Sequence, residues 1–406
     1  MPLLLISAGI FFAFKFKLFY VLHPIKSFKD MLCCQGGFKA LSVALAGTLG
    51  IGNIVGVASA ISAGGAGSVF WMWLSALCAM SLKYAEVKLS LIFRCKEGAN
   101  FRGGAPYYIN GGLRKKLGNK AAYFLSCIFA VFCSINSLST GNLVQINSIS
   151  KIFPISSLLL GIIVALVCYV CINGGVKRIE KITSSLIPFL TAVYVIICLI
   201  IIFRSITDLP AIINLIFKDA FSTKSAISGF YGYGISTAIR YGISRGVLSN
   251  EAGCGTSPCA HATSKNNDPH KQGCLGIFEV FVDTILLCSL TAFVILLEGT
   301  TGLEPMELVV FSFESGLGWF SKITISCLCV CFAFATIITQ YFYGEEALKY
   351  LSKNDLIASV FKVIYCIVTI VGAVIPMWLM WEISDLAMAV MTIINIVCLF
   401  LLKKYL

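Results

Sequence analysis

Residues 40–61 form one apolar run, and about 20 such residues suffice to cross a bilayer as a helix. The middle of that run reads GTLGIGNIVG over residues 47–56, with Gly47, Gly50, Gly52 and Gly56 around a polar Asn53. Each glycine costs a helix interior about 1 kcal/mol relative to alanine, so four of them beside a carboxamide predict a helix that unwinds at mid-depth. Hydrocarbon offers no water to unpaired peptide groups, so an unwound stretch must be buried in protein or line a cavity. Freed N–H groups suit a carboxylate, and freed carbonyls suit a cation such as Na+. The competing reading is a close helix–helix contact through Gly52 and Gly56. The stretch alone leaves both open.

The rest of the chain makes the bilayer the solvent. Hydrophobic residues are 58% of the 406 and charged ones 12%, with a mean hydropathy of +0.91, a balance outside the range of soluble domains. Apolar runs at about 38–62, 67–93, 121–150, 154–173, 183–203, 226–247, 273–298, 319–344, 356–381 and 384–402 predict ten helices. Residues 2–22, interrupted by Lys15 and Lys17, add an eleventh as a short span with snorkelling lysines. They lack the basic start and small-residue cleavage site of a signal peptide. The fold class expected is therefore an all-α polytopic membrane protein.

A net charge of +12 would suit nucleic acid, but the basic residues sit in short loops, where they report topology instead. Lys15, Lys17, Lys26, Lys29 and Lys39 precede the Gly47 helix, and residues 94–120 carry seven more basic side chains. Lys177, Arg178, Lys181, Lys403 and Lys404 continue the alternation, with acidic or neutral loops between. This places the N-terminus outside and the C-terminus in the cytoplasm of a cell membrane. Glu345, Glu346 and Asp355 against Lys349 and Lys353 are the one exception. The 18 cysteines are scattered through apolar segments and read as small apolar side chains.

A second glycine-punctuated run, SGFYGYGISTAIRYGISRG, covers residues 228–246. Two interrupted spans in corresponding positions of two halves point to a transporter site near the midplane. Five spans per half is an odd number, so the halves are expected to be inverted. The segments are residues 1–37 as N-terminal helix and cytoplasmic linker, 38–206 as the first repeat, 207–225 as an extracellular connection and 226–406 as the second repeat.

Several blocks carry a family resemblance. GTLGIGNIVGVASAI followed by GGAGSVFWMWLSALCAMSLKYAE resembles the signature of the alanine/glycine:cation symporter family. RGVLSNEAGCGTSPCAHA, FAFATIITQYFYGEE, GGAPYYI and GNLVQINSI resemble that family's other blocks, in the same order. The resemblance implies a five-plus-five inverted repeat with one extra N-terminal helix. It also implies symport of a small neutral amino acid, such as alanine or glycine, with Na+ as coupling ion and H+ as the alternative. It places the substrate beside Thr48, Gly50, Gly52 and Asn53, with Gln145 as a donor and acceptor for a zwitterion and Phe230 or Tyr231 capping the pocket. For Na+ it implies the carbonyls of Ala46 and Leu49 facing Thr336 and Thr339. The chain departs from the family where Ala335 replaces a common serine and Gln340 stands where tryptophan is frequent. Gln340 thus becomes a pocket residue that admits a more polar substrate side chain.

Charges inside spans are functional by default. Glu279 and Asp283, four apart, share a helix face, and Arg245 on the preceding helix is expected to pair with Asp283 as a gate latch. Asp283 is also the candidate proton site of an H+-coupled permease. Lys83, Glu86 and Lys88 read as interfacial anchors, and NEAGCG at residues 250–255 as a helix break or gate loop. Cys254, Cys259 and His261 offer a nucleophile and base without an orienting third group, or metal ligands without a second pair, so no enzyme is expected. Gly50 and Gly52 lack the spacing and βαβ context of a dinucleotide fingerprint. A channel is the other class that unwound glycines build. The residues leave the oligomeric state open, a monomer included.

Overall fold

In a computed structural model, residues 2–34, 36–98, 100–150, 152, 155–221, 233–299 and 302–406 are described. Three helices, α1 (Pro2–Lys15), α2 (Phe19–Leu22) and α3 (Pro24–Leu32), lead into α4 (Phe38–Thr48), a 3₁₀ turn at Ile51–Asn53 and α5 (Val55–Gly64). Then come α6 (Ser68–Ile92), a hairpin of β1 (Cys95–Glu97) and β2 (Asn100–Arg102), and α7 (Ala105–Leu117). A π-helical segment at Ser139–Leu143 joins α8 (Asn119–Leu138) to α9 (Val144–Ile149), followed by α10 (Ser157–Ile172), α11 (Gly175–Arg204) and α12 (Leu209–Ala220). The second half has α13 (Tyr233–Asn250), α14 (Pro258–Ala262) and α15 (Pro269–Val280), continued through a π-helical segment at Phe281–Cys288 into α16 (Ser289–Glu298). It closes with α17 (Pro305–Leu317), α18 (Trp319–Leu351), α19 (Asp355–Gly372) and α20 (Met377–Leu401).

Local chemistry sets several of these boundaries. Asp268 caps α15, accepting from the His270 and Lys271 amides at 2.9 and 3.2 Å ahead of Pro269. Asn354 caps α19 through the Leu356 amide at 2.9 Å. Along α10 one face exposes Leu159, Ile163, Leu166 and Val170, as a lipid-facing helix should. The opposite face presents Gly161, whose missing Cβ would lie 2.9 Å from the Cβ of Ala373 after α19. Small residues at such crossings let helices approach where lipid removes the hydrophobic drive to associate.

Among the described residues, six helical stretches are long and apolar enough to cross a membrane, and the bent pair Phe38–Thr48 with Ile51–Gly64 makes a seventh. Helices α1 and α10 have 14 and 16 residues, about 21 and 24 Å at 1.5 Å per residue. The expected eleven is therefore not reached on length and hydropathy alone. Two boundaries also differ from expectation. The final pair divides at residues 373–376, around Pro376, and not near residue 382. The stretches at 94–120, 207–225 and 299–318, read as loops, hold α7, α12 and α17.

Residues 228–232 of the second glycine run, where the break was expected, lie outside the described residues. Helix α13 passes through Gly242 and Gly246 without interruption. A Cβ on Gly242 would meet the Ser68 carbonyl oxygen at 2.3 Å, and one on Gly246 the Ser75 hydroxyl at 2.6 Å. These glycines press α13 onto α6. The chain breaks at residues 251–257, where NEAGCG was expected to break it, with positive φ at Glu251 (49°), Gly253 (85°) and Gly255 (79°).

Burial corrects another reading. Lys83 and Glu86 are fully buried, not interfacial, because α6 packs against α1, α13 and α15. Lys83 Nζ donates to Glu279 Oε1 at 3.2 Å and to Ser257 Oγ at 2.7 Å. His261 completes the cluster, its Nε2 2.9 Å from Glu279 Oε2 and its Nδ1 2.8 Å from Gln272 Nε2. Since the Gln272 amide can only donate, Nδ1 accepts and Nε2 carries the proton toward the carboxylate. Both ring nitrogens are thereby engaged, which removes His261 as a base for Cys254 or Cys259. Lys88 is the exception, half-buried and donating to the Leu406 carbonyl at 2.9 Å.

Breaking a buried ion pair by removing one partner costs about 3–5 kcal/mol, whereas replacing both with apolar groups is often neutral. Lys83→Met should therefore lower the thermal unfolding temperature in detergent sharply, and Lys83→Met with Glu279→Leu should recover most of the loss. A double-variant loss equal to the sum of the Lys83→Met and Glu279→Leu single losses would show that the pair is not formed.

Candidate functional site

The first break bends the chain by 64° between Phe38–Thr48 and Ile51–Gly64. The Gly50 amide turns from its helical acceptor to Thr48 O at 2.8 Å and Asn53 Oδ1 at 3.2 Å. The Ile51 amide donates instead to Gln145 Oε1 at 3.0 Å. The carbonyls four residues back, Ala46 and Gly47, thus lose their helical donors. Neighbouring helices supply replacements. Gln340 Nε2 donates to Gly47 O at 3.2 Å, Thr336 Oγ1 to Leu49 O at 3.4 Å, and Thr291 Oγ1 to Asn53 O at 2.9 Å. A Cβ on Gly50 would sit 2.6 Å from Thr336 Oγ1 and 2.8 Å from Gln145 Oε1, so only glycine admits both braces. Gly56 meets nothing within 4 Å, which sets aside the Gly52–Gly56 packing reading.

A narrow cavity opens at this break. Its walls are Gly47, Thr48, Gly52 and the start of α5, then Thr140, Val144 and Gln145 around the π segment. Leu248, Glu251, Thr336 and Trp381 close it from the second half. Val55 and Gly56, the first residues of α5, are among the lining. Initial helix amides have no intrahelical acceptor and lie at the positive end of the helix dipole.

Asn53 turns away from this cavity. Its Nδ2 donates to Ser249 Oγ at 2.8 Å, Asp283 Oδ1 at 2.8 Å and Asp283 O at 3.0 Å. Ser249 and Thr284 hydroxyls donate to Asp283 Oδ2 at 2.6 and 2.8 Å. The carboxylate is thus held by neutral donors, on a π-helical segment, a feature frequent at functional sites. Asn53 and Gly50 line a smaller hollow with Tyr194 and Phe332.

The predicted residues separate accordingly. Thr48, Gly52 and Gln145 come together on the main cavity, with Gln145 spent on Ile51 N–H and, through Nε2, on Thr140 O at 3.3 Å. Leu49 O and Thr336 Oγ1 meet, Ala46 O is freed nearby, and Thr339 Oγ1 one turn on is buried without a hydrogen-bond partner. These oxygens fit the donor set a hard monovalent cation needs. Gln340 stands behind the wall, bonding Gly47 O and, at 2.9 Å, Glu251 Oε1. Phe230 and Tyr231 lie outside the described residues. The Arg245–Asp283 latch is not formed: Arg245 lies over the Trp381 ring, Cζ 4.4 Å from its centroid, and Asp283 has the partners above. Sequence reasoning missed Glu251 and Trp381, although NEAGCG was marked as a break.

Comparison with known proteins follows these features. The profile described as "Sodium:alanine symporter family" matches residues 1–406. A probable sodium/glutamine symporter of Bacillus subtilis is 34% identical over 99% of this chain and 85% of its own length. A sodium/alanine symporter of Methanococcus maripaludis is 33% identical over 90% of this chain and 81% of its own. An amino-acid carrier protein of B. subtilis is 30% identical over 99% and 86%. Among solved structures, a substrate-bound, outward-open Na+-coupled sialic acid symporter matches with a TM-score of 0.60 at 13% identity, covering 98% of this chain and 87% of that one. That likeness is one of fold.

The Asn53–Ser249–Asp283 network should reveal itself as coupling. Asn53→Ala and Asp283→Ala together should destabilise the protein in detergent by less than the sum of the single losses, with a difference of about 0.5–3 kcal/mol. Strict additivity would mean that the side chains do not meet.

Proposed function

The chain belongs to the sodium:alanine symporter family, and from that premise we propose that it carries a small neutral amino acid, alanine or glycine, together with Na+ by alternating access. The observation that carries this reading is the cavity at the broken helix. Its lining includes the first residues of α5, Val55 and Gly56, and Thr336, whose hydroxyl donates to Leu49 O. The amides of Val55 and Gly56 suit the substrate carboxylate. The carbonyls of Ala46 and Leu49 with the hydroxyls of Thr336 and Thr339 hold Na+ without a costly formal charge. The ion there draws α4 and α18 together and favours the ordered break to which the amino acid binds.

A five-plus-five repeat over residues 38–206 and 226–406, inverted and preceded by α1, accounts for the element order. In its support, α7 and α17, of 13 residues each, take the same place in the two halves, after the second helix. The N-terminus lies outside and the C-terminus in the cytoplasm, as the basic loops require. Asn53 serves as the brace between the break and Asp283, not as a direct substrate ligand. One observation favours a second reading, a substrate with a polar side chain: Gln340 keeps its buried Oε1 unpaired beside the cavity wall.

Counterflow in proteoliposomes with labelled alanine, glycine, serine and glutamine, with and without a Na+ gradient, tests both. Na+-dependent accumulation of alanine or glycine is expected, and passive equilibration of every solute would fit a channel instead. Thr336→Ala should raise the Na+ concentration for half-maximal uptake roughly tenfold, the loss of about one hydrogen-bond-sized contact. Asn53→Ala should abolish most uptake while leaving the amount of membrane-inserted protein near normal.

A further inference from the structure

A cavity that holds a zwitterion must answer both of its charges. Among the described residues lining this cavity, Glu251 is the one ionisable side chain. It is also the wall's one charge in search of a partner. Lys83, the buried cation of the neighbouring network, spends its ammonium on Glu279 and Ser257. No cation lies within ion-pair distance of Glu251 among the described residues.

The other polar side chains on the wall are spent elsewhere. Thr48 bonds back to Ala44 and Leu45 carbonyls, Thr140 to Asn136 Oδ1 at 2.9 Å, and Thr336 to Phe332 and Leu49 carbonyls. Gln145 has given its oxygen to the Ile51 amide and its nitrogen to Thr140 O. Each oxygen of Glu251 accepts one hydrogen bond, Oε1 from Gln340 Nε2 at 2.9 Å and Oε2 from Thr256 Oγ1. A carboxylate offers about four lone-pair sites, so each oxygen keeps one for a further donor. The backbone is specialised as well: Glu251 sits at φ 49°, a conformation rare for residues other than glycine. Such strain persists where the surroundings over-determine it, and it clusters at ligand clamps.

We propose that Glu251 is the counter-charge of the substrate's α-ammonium, with Gln340 and Thr256 as positioning residues that aim its two oxygens. The inference rests on the transport reading above and deepens it by fixing the orientation of the substrate. The carboxylate lies against the first amides of α5, the ammonium against Glu251, and the side chain against Val55, Leu248 and Trp381. An α-hydroxy acid of the same shape satisfies the amides but not Glu251.

The test compares alanine with lactate, which keeps the carboxylate and methyl group and lacks the ammonium, as competitors of Na+-driven uptake in proteoliposomes. If another amino acid is the transported one, its 2-hydroxy analogue takes the place of lactate. In wild type the hydroxy acid should compete about 10- to 100-fold more weakly, as for loss of one hydrogen-bonded charge. Glu251→Gln should raise the KM for the amino acid by a similar factor and leave competition by the hydroxy acid unchanged. The stabilisation of the protein by Na+ in detergent should be preserved in that variant, which separates substrate recognition from misfolding. Equal competition by lactate and alanine in wild type would overturn the proposal without any variant. So would an unchanged KM in Glu251→Gln, or a variant whose main change is in Na+ dependence, since Glu251 would then be an ion ligand. Absence of Na+-dependent amino-acid uptake in wild type would remove the transport reading, and this inference with it. Uptake with an unaltered KM in the variant removes this inference alone.

Discussion

Every peptide group that leaves a helix in hydrocarbon must find a partner within the protein, and the architecture of this chain follows from how that demand is met at residues 46–53. Four side chains from three other helices take over the orphaned groups: Gln145 of α9, Thr291 of α16, and Thr336 and Gln340 of α18. All three helices are distant from the break along the chain, so it can exist only inside the assembled bundle. That is why glycine is indispensable at Gly50, where two braces converge from opposite sides. The same braces define which polar atoms remain free to meet a solute.

Charge is managed by a parallel arrangement one layer away. Lys83, His261 and Glu279 satisfy one another with Ser257 and Gln272, and Asp283 is held by Asn53, Ser249 and Thr284. Ionic groups in the bilayer are expensive unless paired and hydrogen-bonded, and these are. Glu251, with neutral partners like those of Asp283, differs in that it lines the main cavity. Gln340 links the layers, since one carboxamide touches both the first break and the residue that opens the second.

Much of this was legible in the sequence. Helix class, the position of the first break and the presence of Thr48, Gly52 and Gln145 at its cavity follow from apolar run length, glycine clustering and the family blocks. Glycine, however, has two uses that composition cannot separate. At Gly50 it relieves a crowded break, and at Gly242 it lets two intact helices touch. The break at residues 251–257 was legible in NEAGCG, but its opening on a glutamate at positive φ was not. The Arg245–Asp283 pairing failed for a similar reason. Shared helix faces bring charges near, but Arg245 had an aromatic ring to lie on and Asp283 had hydroxyls. Lys83 and Glu86 looked interfacial from the apolar run alone; their burial depends on Glu279 and Asn395, far away in sequence.

That distance has a consequence for biogenesis. Lys83 and Glu279 are separated by 196 residues, and ribosomes add about 5–20 residues per second. For roughly 10–40 s of synthesis the lysine's helix therefore exists without its counter-ion. A nascent α6 must wait beside water, lipid headgroups or the insertion machinery until α15 emerges, so the final seating of the first half is timed by the arrival of the second.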